Sequence, residues 1–339
     1  MGAGKQYIFL ALAVLFISLA GCFEKDERIT PHTPGDEQSF TFERSIYTNQ
    51  SYFDLGSNEI ISENVNSAWL MRFGSQAADW HIGINSADLW AVYNSLTSEL
   101  DSVSGTHPTE KWVFDKSSGE PDSTAFAGWV HFPEQDTVYN DDIYLIGKFD
   151  GVSYRAKYAV QFLSVDREAY HFRFMDWPDG NWGTDTVPKE PSVNYQYYSP
   201  ANGGEVVPIE PDRAAWDLEF TQYGSILYTS EGVPTPYYVR GVLLNANGVA
   251  AALDTTHAFS DITYDNLSGY TFSTREDFIG YEWKSVKVDV TSGTAVYTVN
   301  SNYTYIIRDT EGFYHKMRFI SFYNDLGEKG FPVIEHLRL

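Results

Sequence analysis

Apolar and polar residues alternate at every second position through much of this chain, and beyond residue 21 no stretch sustains a long helical period. Tyr303 to Arg308 and Lys316 to Phe322 read as two strands joined by a turn at Asp309 to Gly312. Lys284 to Val290 alternates cleanly, and Val239 to Asn245 reads as a strand entering an Asn247-Gly248 turn. One segment departs from the pattern. Leu89, Val92, Leu96 and Leu100 recur at near-helical spacing, which predicts a short helix between Ser86 and Leu100. The 24 Tyr and 22 Phe suit pleated, half-buried surfaces, so the expected class is all-β.

The pattern also repeats. Tyr52, Gly56, Glu59, Trp69 and Phe73 recur in order as Tyr198, Gly204, Glu205, Trp216 and Phe220. Tyr144, Ile146, Gly151 and Tyr158 recur as Tyr305, Ile307, Gly312 and Phe319. Preserved order at a long period is the mark of a duplication. It predicts two tandem antiparallel units, each a β-sandwich or strongly twisted sheet with a solvated outer face. Their expected bounds are residues 46–182 and 192–339, separated by a stretch holding Gly183, Pro188 and Pro191. Trp69 and Trp216 are expected to anchor the core of one unit each.

Ahead of the first unit stands a different composition. Lys5 precedes an apolar run from Tyr7 to Ala20, too short to span a bilayer and suited to a signal-peptide core. It ends at Leu19-Ala20-Gly21-Cys22, which resembles the bacterial lipobox, and Cys22 is the sole cysteine of the chain. Residues 1–21 are therefore expected to be a lipoprotein signal peptide. Cys22 is the expected lipidation site, carrying palmitate-type acyl chains, and residues 22–45 the flexible tether behind it. Just after Cys22, Glu24 to Glu27 form a short Lys/acidic cluster that resembles a lipoprotein export signal to the cell surface. The expected location is the outer membrane, facing the exterior.

Charge narrows the partners. With 23 Lys and Arg against 46 Asp and Glu, the net charge is −23. This argues against nucleic acid, which needs a basic face, and against charge-driven docking on anionic lipid. Membrane contact is expected only through the lipid anchor. A single cysteine excludes an internal disulfide. No G-x-S-x-G, Walker, G-x-G-x-x-G or H-E-x-x-H motif occurs, so no enzyme is expected. Asp115 to Asp122 alternates oxygen-bearing side chains as a calcium loop would, but lacks the EF-hand glycine and terminal Glu, and an Asp/Ser/Gly/Pro turn explains it better. Trp80, Trp90, Trp177 and Trp182 are expected in packing rather than in a ligand platform.

Trp216 to Tyr223, Gly241 to Asn245, Ile279 to Lys284 and Gly312 to Gly330 together resemble the HmuY-type lipoproteins. The resemblance covers most of residues 195–339 and is weaker over 47–176, through Trp69 and Gly128-Trp129. It implies a surface-anchored all-β protein that captures haem and passes it to an outer-membrane receptor. It also implies axial His or Met ligands for iron. His131 follows the Gly128-Trp129 strand near one such position, with Met175 and His257 as further candidates, and Arg155 and Lys157 as cations for the propionates. A clean bis-His pair is not visible, and His315 reads as an ordinary surface or core histidine. Beside haem or another small hydrophobic ligand stands a second expectation, a surface adhesion or interaction module that kept the fold without haem.

Overall fold

The structure is a computed structural model that describes residues 34–43, 48–104, 107–132, 137–150, 152–228, 231–232, 234–289 and 294–339. The expected signal peptide, Cys22 and the first part of the expected tether lie outside the described residues. Among the described residues no helix is long and apolar enough to cross a membrane.

The alternating pattern folds into strands, and they come in two sets of eleven. The first set is β1 (Gln38–Thr41), β2 (Asn49–Asp54), β3 (Glu59–Val65), β4 (Met71–Gly74), β5 (Ile82–Ile84), β6 (Trp90–Asn94), β7 (Val130–His131), β8 (Val138–Tyr139), β9 (Tyr144–Phe149), β10 (Tyr154–Val165) and β11 (Ala169–Asp176). The second set is β12 (Gly183–Pro188), β13 (Tyr195–Ser199), β14 (Glu205–Val207), β15 (Leu218–Tyr228), β16 (Pro234–Leu244), β17 (Ala250–Asp254), β18 (Lys284–Asp289), β19 (Thr294–Val299), β20 (Thr304–Arg308), β21 (Tyr314–Tyr323) and β22 (Lys329–Arg338).

Sheet order matches strand for strand between the sets. One five-stranded sheet runs β1-β22-β21-β20-β17 and the other β12-β11-β10-β9-β6. One four-stranded sheet runs β16-β15-β2-β3 and the other β5-β4-β13-β14. Each set lends its first three strands to the other. Thus β2 pairs with β15, through Phe53 opposite Leu218, while β13 pairs with β4, through Tyr198 opposite Met71. β1 pairs with the last strand of the chain, β22, and β12 pairs with β11.

The two sets thus correspond strand for strand, while strand pairing runs across the expected division at 182–192. Strands 183–207 complete the core of the first half, and strands 38–65 complete that of the second. One core joins Phe42, Phe53 and Leu55 to Phe220, Trp283, Tyr305 and Phe319. The other joins Met71, Trp129, Tyr144 and Phe162 to Val187 and Tyr198.

Further expectations are corrected by burial. The tether ends before residue 45, because β1 is paired along its length and Phe42 is buried. The predicted helix at 86–100 is a single 3₁₀ turn, Ser86–Asp88, followed by β6. Leu89 is left-handed at φ 69°, which ends the turn, and β6 is apolar on both sides. Its spacing mimicked a helix because Trp90 and Val92 face one cluster while Ala91 and Tyr93 face another. The outer faces of the five-stranded sheets are likewise not bare. Trp112, Met175 and their neighbours cover one, and Ile262, Tyr270 and Phe272 cover the other. Trp69 and Trp216 do not anchor separate cores. They meet Tyr52, Tyr195 and Tyr197 in one shared cluster between the four-stranded sheets.

An asparagine repeats that symmetry. The Asn85 amide donates to the carbonyls of Asn66 and Trp69 at 2.7 and 2.8 Å. The Asn245 amide donates to the carbonyls of Arg213 and Trp216 at 2.8 and 2.6 Å. Each satisfies two buried acceptors at the mouth of its tryptophan turn.

Candidate functional site

The two halves differ where their hairpins project. β4–β5 and β7–β8 are short, whereas their counterparts β15–β16 and β18–β19 are eleven and six residues per strand. β2 covers only residues 218–220 of the β15 edge. Beyond that point β15 runs beside the loop after Trp112, and the space between them is a cleft.

The cleft begins where Phe114 packs flat on the backbone of β15. A Cβ on Gly224 would lie 2.6 Å from the Phe114 ring, so only glycine permits this approach. The Gly224 amide donates to the Ser86 hydroxyl at 3.1 Å, which pins the strand to the first half. On the far side, the Ser117 hydroxyl donates to Asp277 at 2.9 Å and the Glu276 amide to the Ser118 carbonyl at 3.2 Å. The floor is therefore built jointly by loop 114–123 of one half and residues 275–282 of the other.

The opening has a volume of about 560 Å³, with Phe114, Ile226 and Tyr228 as its apolar wall and Lys116, Glu120, Arg275 and Asp277 at its rim. A second lobe of about 330 Å³ continues past Ser225 and Arg275 to Tyr223 and Tyr281. These sizes fall within the ~300–1,000 Å³ of small-molecule sites, which favour interfaces between structural units. Arg275 forks onto Asp277 at 2.9 and 3.1 Å and remains largely exposed. Burial, then Asp277, Tyr281 and Glu282, raise the Tyr223 phenol above its ordinary value, so it stays protonated. The cleft thus offers an apolar wall and a rim that carries both signs of charge.

Deeper between the halves lies a cavity of about 50 Å³, lined among others by Trp69, Arg72, Asp115, Tyr197 and Glu219. It has room for a few waters and none for a macrocycle. Arg72 lies 3.8 Å from Glu276 and stacks 4.3 Å over the Tyr195 ring. Burial pushes Asp115 up to about 7 and Glu219 up to about 8. The Asp115 carboxylate accepts the Ile84 amide at 2.9 Å and the Ala125 amide at 2.8 Å. Its part is to clamp the loop, and the calcium-like spacing from Asp115 to Asp122 reflects the turn chemistry of the cleft wall.

The residues expected to ligate haem are not brought together. His131 is exposed on the small β7–β8 pair. Met175 is 2% exposed, packed among Trp112, Ile143 and Leu145 on the other face of the sheet from Trp129, so it is corrected to a core residue. His257 is exposed just after β17, with Nδ1 2.7 Å from Asp254 Oδ2. Arg155 pairs with Asp150 at 2.9 Å in the β9–β10 turn, and Lys157 lies 5.8 Å from the Trp90 ring. None of the five lines the cleft. His315 is buried and bonded through Nε2 to Asp309 at 2.8 Å. The cleft residues escaped sequence reading because they come from three distant segments. The length of the second pair of hairpins was the one available signal.

Comparison with known proteins bears on the family of the chain. No curated protein matches the chain. Among solved structures, the apo HmuY analogue of Tannerella forsythia is 9% identical, covering 91% of this chain and 98% of that one, with a TM-score of 0.28. Apo PinO, from Porphyromonas gingivitis, is 10% identical, covering 90% and 98%, with a TM-score of 0.27. The family model described as HmuY protein matches residues 46–336 in one span that includes both halves. By that match this chain belongs to the HmuY family.

Proposed function

We propose that this protein is a lipid-anchored lipoprotein of the outer membrane, facing the exterior, that captures haem or a related porphyrin in the cleft beside β15. The observation that carries the reading is the cleft itself. It joins an apolar wall at Phe114, Ile226 and Tyr228 to a rim of mixed charge, with Lys116 and Arg275 beside Glu120 and Asp277. A porphyrin has that same division, an apolar plane with two carboxylates on one edge, and Lys116 and Arg275 are the groups that would meet those carboxylates. Cys22 supplies the anchor, and a receptor in the same membrane would take the ligand onward. The role is binding, not catalysis.

A second reading rests on a separate observation. Val286, Val288 and Val296 stand about half exposed on β18–β19, an unusual display for a strand pair. They favour an interaction module that docks a protein and holds no porphyrin.

Titration of haemin into the full chain, followed at its Soret band, distinguishes the two. Saturable binding of one haem per chain at micromolar concentration supports capture. A Soret band identical to free haemin at every ratio leaves the interaction module.

A further inference from the structure

Two imidazoles lie together inside the second core, apart from the cleft. His315 on β21 and His336 on β22 are 2% and 1% exposed, and their ring centres are 6.0 Å apart. Each spends Nε2 on an acceptor. His315 donates to Asp309 Oδ2 at 2.8 Å, and His336 donates to Asn58 Oδ1 at 2.9 Å. A carboxylate and an amide oxygen can only accept there, so in each neutral ring the proton sits on Nε2 and Nδ1 carries the lone pair. Each Nδ1 is buried and has no hydrogen-bond partner. Two unpaired buried lone pairs on adjacent strands call for something between them.

The register supplies a third donor. Met317 is directly opposite His336, two residues along β21 from His315, and it is fully buried on the same core face. A metal about 2.0–2.1 Å from an imidazole nitrogen lies ~3.2 Å from that ring's centre, so two rings sharing a metal have centres up to ~6.4 Å apart. The observed 6.0 Å meets that limit. Asp309 and Asn58 stand as the outer partners that orient metal-bound imidazoles elsewhere. The scaffold does not demand these histidines. In the corresponding turn of the first half, Asp150 is satisfied by the exposed side chain of Arg155.

We propose that His315, His336 and Met317 form a buried site for a single soft metal ion, Cu(I). Two imidazoles and a thioether suit Cu(I), while the nearest carboxylate, Asp309, is already taken by His315 and by the Phe313 amide. The turn between β2 and β3 closes the site, because Asn58 there is half-buried and holds His336 through Oδ1.

The test is an anaerobic competition for Cu(I) against bicinchoninate, using the full chain with Cys22→Ala so that no thiol competes. The parent should withdraw one Cu(I) per chain. His336→Leu should withdraw at least tenfold less, and Met317→Leu, which conserves volume and fold, should bind about tenfold more weakly. Circular dichroism checks that each variant is folded. No withdrawal by the parent, or equal withdrawal by the parent and Met317→Leu, overturns the site, as does a crystal soaked in Cu(I) that shows only water between the rings.

Discussion

The hydroxyls of Tyr52 and Tyr197 meet at 3.2 Å, one from each half of the duplication. Tyr52 pairs in register with Glu219, and Tyr197 with Arg72, so Tyr197, and not Tyr198 as the sequence pattern suggests, holds the place equivalent to Tyr52. Their contact marks the axis about which the halves exchange strands. The two are unequal in one respect. Tyr52 also accepts from the Gln50 amide at 2.9 Å. Tyr52→Phe therefore strands two buried polar groups and should cost about 1–3 kcal/mol, whereas Tyr197→Phe should cost about 0.5–1.5 kcal/mol. Urea denaturation of both variants checks the order. Equal costs would deny that the Gln50 bond matters.

Exchange of strands has a consequence for dissection. The loop between β12 and β13 is exposed at Lys189 to Ser192 only in part, yet it offers a protease its best access between the halves. A nick there should leave two fragments that elute together in size exclusion, because β12 to β14 complete the first core and β1 to β3 the second. Two separately eluting, folded halves would contradict the exchange.

The buried carboxylates predict an unusual response to pH. Glu219 is raised to about 8, chiefly by burial, against an ordinary value near 4.5. The folded state therefore holds this proton more tightly than the unfolded chain. Its contribution to stability is full below about 4.5 and is lost as pH rises towards 8, by up to ~1.4 kcal/mol per pH unit. Glu219→Gln should thus be close to neutral at pH 4.5 and increasingly stabilising up to pH 8. Chemical denaturation of both proteins across that range measures it. A gain that shrinks with rising pH would mean that Glu219 is ionised in the fold and paired with Arg72.

How much of this was legible in the sequence follows from what each residue does. Tyr303 to Phe322 could be read because alternation, turn and strand are all local, and β20 and β21 lie where expected. The duplication was legible because Trp69 and Trp216 keep their order. Exchange was not, because a hydrophobic pattern states which face of β2 or β13 is buried and says nothing of which partner buries it. β6 was misread for a similar reason. A strand packed on both faces loses its alternation, and Leu89 to Leu100 then imitates a helix. Met175 looked like a ligand because its chemistry is visible in sequence and its burial is not. The cleft gathers Phe114, Gly224 and Arg275 across more than 150 residues, and only folding brings them together.

The most direct test of the capture cleft compares Ile226→Glu with His131→Ala in haem binding to the full chain, each followed by Soret titration. Ile226 is 40% exposed on the apolar wall, so a carboxylate there should leave the fold intact while meeting the porphyrin face with charge. The expected result is at least tenfold weaker binding for Ile226→Glu, about 1.4 kcal/mol, and unchanged binding for His131→Ala. Unchanged binding for Ile226→Glu, with loss in His131→Ala, would contradict the cleft and move the ligand to the β7–β8 hairpin.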